Sequence, residues 1–307
     1  MNDVHLLPRF HEEVHCHLVT NFLGLPSRPI VLAISGRPGD GKSAQLVAAL
    51  NRENVRFNRI HAADLESGLA GEPGKYVARM YLETSRAIGR GEPWALVLDD
   101  IDTTLGEWEQ NTGTVNHQQV LAELMHLADS PTDESRGFLR RVPFFATGNR
   151  LGVLYSPLRR YRRLRHFPWE PTPSEIGEVV STIFHGYAES PAAEALVQAF
   201  PRRELAFYAE VKHLCIERRV SGQLPPGSVE LRRVVAEARS WRARLQLTSF
   251  SAAELLEAAA RLSTATADGL RDTVDPPEYS GEAIDIRDQR DRRSGLPGQT
   301  SNRRSDG

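Results

Sequence analysis

The stretch "GRPGDGKS", residues 36–43, decides the fold of this chain. It fits the pattern G-x-x-x-x-G-K-[ST] in full, follows the apolar run "RPIVLAIS" and opens the helical pattern "KSAQLVAALNR". An apolar run, a glycine-rich loop and a helix in this order are typical of a site where main-chain N–H groups surround phosphates. The sequence therefore predicts a phosphate-binding loop between a buried strand and a helix.

The polar residues of this loop have predicted tasks. Lys42 offers a positive charge to the β- and γ-phosphates of a nucleotide, and the Ser43 hydroxyl is suited to Mg²⁺. We therefore predict that the chain binds ATP and Mg²⁺. The predicted nucleotide-binding residues of the loop are Gly36, Gly39, Asp40, Gly41, Lys42, Ser43 and Ala44.

A second apolar run ends in acids, in "ALVLDDID" at residues 95–102. We predict that Asp99 holds the shell of the Mg²⁺ ion and that Asp100 orients or deprotonates the attacking water. Taken alone, the two acids are equally explained as solvated residues at the end of a strand. The presence of the phosphate-binding loop favours the catalytic interpretation.

A third polar point follows the apolar run "VPFFATGN", residues 142–149. Thr147 and Asn149 lie at its carboxyl end, where open α/β sheets place their ligands. We predict that Asn149 positions the water near the γ-phosphate. The alternative is an asparagine that only caps a loop.

The order of the patterns predicts an α/β fold with two parts. Apolar runs alternate with helical patterns, which favours a parallel sheet sandwiched by helices. The predicted divisions are an α/β domain with an N-terminal helix over residues 1–170, a smaller all-helical lid domain over residues 171–267, and a disordered polar tail over residues 268–307.

Composition narrows the class of protein. The 307 residues are 40% hydrophobic and 25% charged, with a formal net charge of -2, so any basic patch is local. The two cysteines, Cys16 and Cys215, are too far apart to suggest a zinc site. No apolar run approaches the ~18 residues of a membrane span, and the N-terminus does not fit a secretory signal. We expect a cytoplasmic protein with no membrane partner.

The motif "HEEVH", residues 11–15, also fits the zinc-protease pattern H-E-x-x-H. The two histidines lie on the same side of a helix. A zinc protease needs a third protein ligand as well, and the sequence offers no convincing one. We interpret the match as coincidental.

The three polar motifs followed by helices resemble the AAA+ ATPases. Further segments are similar to Rubisco activase within that family, over roughly residues 10–260. These segments are "NFLGLP" (21–26), "DLESGLAGEPGK" (64–75), "NHQQVLAELMHLADSPT" (116–132), "VPFFATGN" (142–149), "LYSPLRRYRRLRHFPWEPT" (154–172) and "AFP" with the helix that follows it (199–215).

The resemblance implies a ring, expected to be a hexamer, with ATP between subunits and a protein partner that is remodelled by pulling through the central pore. It implies partner contact at Glu66–Gly74 and Thr104–Thr114, with Trp108 as a grip residue or, equally, as an ordinary packed tryptophan. The implied specific partner is Rubisco carrying an inhibitory sugar phosphate. Lys212 stands where the family has a sensor arginine, so the resemblance implies that Lys212 contacts the nucleotide, although a lysine cannot make the two-point contact of an arginine.

The run "SPLRRYRRLRHF", residues 156–167, holds five arginines. By the family pattern, Arg160 and Arg163 are arginine fingers, which stabilise the charge on a neighbouring subunit's γ-phosphate. Two other functions remain open. The surplus arginines also suit a nucleic-acid-acting or defence-related AAA+ ATPase. Asp100 is shorter than the glutamate that is common at this position. Together with Lys212 in place of an arginine, it also suits a nucleotide switch that hydrolyses ATP poorly.

Overall fold

Five short strands form one parallel sheet in the computed structural model, which describes residues 4–26, 28–65, 72–102 and 115–274. Their order across the sheet is β2-β3-β4-β1-β5. The predicted parallel sheet with flanking helices is therefore confirmed. The strands are β1 Val31–Ser35, β2 Arg56–Ile60, β3 Trp94–Leu98, β4 Phe144–Gly148 and β5 Leu164–Pro168.

The edge strand β5 was not predicted from the sequence, because it lies within the arginine-rich run. Only Leu164 and Phe167 are apolar and buried there, and they face opposite sides of the sheet. Arg165 and His166 separate them, so the strand shows neither an apolar run nor a simple alternation. An edge strand needs few apolar residues, and periodicity therefore gives no signal here.

Helices cover both faces of the sheet. In β1, Leu32 and Ile34 belong to the core on one face, whereas Val31 and Ala33 belong to the core on the other. Successive side chains of β1 thus enter the two cores in turn. Because both faces of the strand are buried, its apolar run is continuous. The first face packs against α1 Pro8–Phe22 and α2 Lys42–Arg52, and the second against α3 Glu72–Gly89 and α4 Val115–Asp129.

The chain beyond β5 is helical. Its first helix begins with a capping box, in which the Thr172 hydroxyl accepts from the Glu175 N–H and the Glu175 carboxylate accepts from the Thr172 N–H. None of the helices in the described ranges is long and apolar enough to cross a membrane. The helices that follow β5 are α5 Pro173–Phe184, α6 Ser190–Ala199, α7 Leu205–Gln223, α8 Leu231–Ala236, α9 Ala238–Arg244 and α10 Ala252–Val274.

Contacts divide the chain into two compact units, Met1–Leu262 and Ser263–Gly307. The α/β part and helices α5 to α7 share one hydrophobic core within the first unit, in which Phe10 packs edge-on against Trp169 with ring centroids 4.9 Å apart. The boundary predicted at residue 170 stays a prediction. Helix α10 continues to Val274, past the predicted start of a disordered tail at residue 268.

The burial of His17 in α1 makes the stability of the fold depend on pH. Its side chain is buried, its Nε2 donates to the Ile30 carbonyl at 3.0 Å, and its ring meets Phe145 edge-on. Burial lowers the pKa of His17 to about 3. Since the folded state prefers the neutral ring, the stabilising effect is complete above pH ~6.5 and is lost as the pH falls towards 3.

We therefore expect the variant His17→Gln to be less stable than the parent at pH 8, and the difference to narrow as the pH falls from 6.5 to about 4. Urea unfolding at several pH values measures this difference. His213→Gln, which changes an exposed histidine, is the control. Parallel stability curves for His17→Gln and the parent would contradict the assignment.

Candidate active site

The three predicted polar motifs meet at one edge of the sheet. They follow β1, β4 and β3, which are adjacent strands. Lys42 Nζ donates to Asn149 Oδ1 at 2.8 Å, and Ser43 Oγ donates to Asp99 Oδ1 at 3.3 Å. Residues that are 107 and 56 positions apart in the sequence are thus in direct contact.

Two glycines explain the shape of the phosphate-binding loop. A Cβ atom at Gly36 would lie 2.1 Å from the Trp169 carbonyl oxygen, so only glycine fits there. Gly39 has φ +82°, and a Cβ atom there would also press on Glu204 and Ala206 at 3.0 and 3.1 Å. The loop therefore depends on glycine for close approach at one position and for a left-handed backbone at the other.

The loop is attached to the segments that follow the sheet. The Ala206 N–H donates to the Gly39 carbonyl at 3.0 Å, and Trp169 Nε1 donates to the Asp40 carbonyl at 2.8 Å. The Asp40 side chain is fully buried and accepts from Arg37 Nε at 3.0 Å. Burial raises the pKa of Asp40. This side chain supports the loop from within.

The helix α2 begins directly at the loop. Gly41 precedes it with φ +78°, no side chain caps its N-terminus, and its first turn holds no acidic residue. Ser43 is partly exposed and Ala44 is exposed in that turn. The free N–H groups of such a helix end attract anions, which fits the predicted phosphate contacts.

Lys42 lies at the centre of the site and is only 7% exposed. Besides Asn149, its ammonium donates to the carbonyls of Gly36 and Arg37, both at 2.9 Å. An ammonium has three N–H donors, and all three are used. Burial lowers the pKa of Lys42, and the neighbouring carboxylates of the site partly offset this. The charge is thus held in position under the loop.

Asp99, at the end of β3, contacts three polar side chains. Its Oδ1 accepts from Ser43 and from the Thr147 hydroxyl, the latter at 3.0 Å. The Arg59 Nε lies 3.1 Å from its Oδ2. Carboxylate and hydroxyl oxygens are the ligands that Mg²⁺ prefers, so Ser43 and Asp99 form a donor set that fits this ion.

Asp100 lies exposed beside this set, in an uncommon backbone conformation. Its φ is +51°, a left-handed conformation that is uncommon outside glycine and that aspartate adopts more readily than most residues. Its N–H donates to the Thr147 hydroxyl at 3.3 Å, so Thr147 connects both acids to β4. The turn directs the chain away from β3 at the point where the predicted catalytic acid stands.

Asp102 is a site residue that the sequence analysis missed. It is 3% exposed, and its Oδ2 accepts from the N–H groups of Asn149 and Arg150 at 2.9 and 2.8 Å. A Cβ atom on Gly148 would lie 2.7 Å from its Oδ1. Asp102 therefore fixes the backbone that carries Asn149. A third acid three residues after Asp99 was the signal available in the sequence.

The two predicted fingers differ in their surroundings. Arg163 Nε and Nη2 donate to the two carboxylate oxygens of Asp129 at 2.7 and 2.5 Å, and its Nη1 donates to the Pro157 carbonyl at 2.9 Å. Such a two-point pair holds the turn against the last residue of α4. Arg160 is exposed at the surface of the same turn. Arg160 is thus the more accessible of the two.

Lys212 lies in α7, the helix whose first turn contacts the phosphate-binding loop through Ala206. Its Nζ donates to the Ile183 carbonyl at 3.2 Å and lies 4.9 Å from the centre of the Tyr187 ring. Both contacts belong to the helical part of the chain, and Lys212 is 8% exposed. The predicted contact of Lys212 with the nucleotide stays a prediction.

The histidines of the H-E-x-x-H motif face a carboxylate. His11 Nε2 and His15 Nδ1 lie 2.5 and 3.1 Å from Glu53 Oε1, at the C-terminal end of α2. In the described residues no group of three or more His, Cys, Asp or Glu side chains is arranged to hold a metal ion. The pair is explained by its contact with Glu53.

Comparison with known proteins gives a family. Residues 32–169 match the family described as "ATPase family associated with various cellular activities (AAA)". The chain is 37% identical over 220 residues to the ribulose bisphosphate carboxylase/oxygenase activase of Anabaena sp., a match that covers 68% of this chain and 53% of that protein. It is 34% identical over 223 residues to the chloroplastic activase of Spinacia oleracea, covering 69% and 47%. The chain spans about half the length of the curated relatives it matches. Residues 32–169 therefore match the AAA family of ATPases, and about two thirds of the chain is similar to Rubisco activases.

Proposed function

We propose that the protein hydrolyses ATP and uses the energy to remodel a protein partner. The convergence of Lys42, Asn149, Ser43 and Asp99 at the carboxyl edge of the sheet carries this proposal. A loop of main-chain N–H groups, a buried lysine and an oxygen donor set are the parts that phosphoryl transfer to water requires. When bound, Mg²⁺ neutralises negative charge on the phosphate oxygens.

Each residue has a proposed part in hydrolysis. Lys42 binds the β- and γ-phosphates, and Ser43 with Asp99 holds the metal. Asp100 orients the attacking water or takes its proton, and Asn149, fixed by Asp102, positions that water. An arginine of the 156–167 turn reaches the γ-phosphate of a neighbouring subunit, which requires an oligomer. We propose a ring, with six subunits as the expected number.

The proposed partner is Rubisco in a form blocked by a sugar phosphate, because both relatives named above are Rubisco activases. The predicted partner contacts at Thr104–Thr114, including Trp108, and most of Glu66–Gly74 lie outside the described residues. The proposal therefore rests on similarity for the partner and on the site for the reaction.

The experiment is release of inhibitor from blocked Rubisco, measured as recovered carboxylation with ATP and with ADP. We expect recovery with ATP only, together with phosphate release. Phosphate release without recovery would overturn Rubisco as the partner and leave the ATPase. Tight ATP binding without phosphate release by the oligomer would overturn hydrolysis and favour a nucleotide switch.

A cationic cleft supports a nucleic-acid-acting ATPase as the second candidate. The cleft has a volume of about 900 Å³, and Arg28, Arg159 and Arg165 line it beside Tyr161, a residue that is 97% exposed. Arginines bind phosphates, and an exposed aromatic ring can stack on a base. Stimulation of phosphate release by single-stranded DNA or RNA that falls steeply with salt would favour this candidate.

A further inference from the structure

The predicted metal site contains a positively charged side chain, Arg59, that belongs to none of the sequence motifs. Arg59 is the next-to-last residue of β2, and it pairs in register with Val97 of β3. Its Nε lies 3.1 Å from Asp99 Oδ2, and its side chain is 32% exposed. The strand pairing therefore places a guanidinium beside the carboxylate that follows β3.

The Asp99 carboxylate is surrounded on both of its oxygens. Ser43 and Thr147 donate hydroxyl hydrogens to Oδ1, and Arg59 faces Oδ2. Hydroxyl groups carry no net charge, so the guanidinium is the group in direct contact that balances the negative charge of Asp99. A divalent cation bound to Asp99 would meet this positive charge close by.

The contact between Arg59 and Asp99 has poorer hydrogen-bond geometry than the pair between Arg163 and Asp129. The Arg59 Nε is buried, and in the described part of the chain it makes no hydrogen bond of good geometry. The guanidinium carbon also lies 5.7 Å from the centre of the Phe57 ring. Arg163, by contrast, donates through two nitrogens to Asp129. Arg59 is thus held beside Asp99 mainly by charge.

We propose that Arg59 balances the negative charge of Asp99, weakens the binding of a divalent cation at Asp99 and strengthens the binding of the nucleotide phosphates. This inference rests on the proposed ATP site. A unit positive charge a few ångströms away repels a metal ion and attracts a phosphate, and partial burial strengthens both effects. The residue thereby sets how strongly nucleotide binding depends on the metal.

The test measures two affinities of the variant Arg59→Gln. A loss of structure would weaken both affinities, whereas the proposal expects them to change in opposite directions. The first is the affinity of the protein–ADP complex for Mn²⁺, measured by electron paramagnetic resonance. The second is the affinity for ATP in EDTA, measured by calorimetry. We expect Mn²⁺ to bind about tenfold more tightly and metal-free ATP about tenfold more weakly, as for the loss of one unit charge in a partly exposed site.

Two variants control the result. Arg56→Gln removes an arginine from the same strand whose side chain is 71% exposed and contacts Glu92 instead, and we expect it to change neither affinity. Arg59→Lys keeps the charge and should keep both affinities near those of the parent. The inference is overturned if both affinities weaken in Arg59→Gln, or if neither changes. If the parent binds neither ADP nor ATP, the proposed function fails and this inference fails with it.

Discussion

Replacement of Lys42 by alanine is expected to weaken ATP binding by about 100-fold or more and to abolish measurable phosphate release. The ammonium is buried, bonded to two carbonyls of the loop and joined to Asn149 at 2.8 Å. Alanine removes the charge that the phosphates need and also leaves those acceptors without their donor. Calorimetric titration with ATP and a phosphate-release assay measure the two effects.

Lys75→Ala is the matched control for this change. Lys75 is one of the three lysines in the chain, its side chain is 76% exposed, and its ion pair is with Glu72 on the first turn of α3. We expect this variant to keep the ATP affinity of the parent. An unchanged ATP affinity in Lys42→Ala, with the fold intact by circular dichroism, would refute the location of the nucleotide site.

Replacement of Arg160 by alanine is expected to preserve ATP binding and to lower the hydrolysis rate by about 1,000-fold or more, the size of effect typical of an arginine finger. Arg160 is exposed, whereas Arg163 is engaged by Asp129 and Pro157. We therefore expect Arg163→Ala to lose activity too, but with a lower unfolding temperature, because it removes the two-point pair. Phosphate release and thermal unfolding separate the two variants.

A mixing experiment tests whether Arg160 acts between subunits. Arg160→Ala subunits keep Lys42, and Lys42→Ala subunits keep Arg160, so a mixed ring contains some complete sites. We expect partial recovery of phosphate release on mixing, although each variant alone is inactive. Arg162→Ala, which changes an exposed arginine of the same turn, should remain active. Full activity in a monomer, or no recovery in a mixed oligomer, would contradict a site shared between subunits.

The sequence predicted those parts of the site that local chemistry determines. A glycine-rich loop before a helix, acids after an apolar run and an asparagine after another were sufficient to expect Lys42, Asp99 and Asn149 near one another, since the carboxyl ends of parallel strands meet at one edge. The direct contacts between the loop and the ends of β3 and β4 agree with this expectation. The division of the chain at residue 170 and the catalytic roles stay predictions.

The residues that sequence reasoning missed depend on contacts between distant parts of the chain. Arg59 became part of the site because β2 pairs with β3, and a strand arginine on its own gives no sign of its partner. The pair between Arg163 and Asp129 joins positions 34 residues apart, so the arginine run could not show which of its members is held. Strand β5 was hidden because an edge strand is only partly buried.

The attachment of the phosphate-binding loop to Ala206 and Trp169 has a thermodynamic consequence. Two main-chain carbonyls of the loop, those of Gly39 and Asp40, accept hydrogen bonds from residues that lie more than 120 positions later in the sequence. Any ligand that changes the shape of the loop therefore changes the free energy of placing the start of α7, and the coupling is reciprocal. A second ligand whose binding displaces the start of α7 would therefore change the affinity for nucleotide, and nucleotide would change the affinity for that ligand by the same factor.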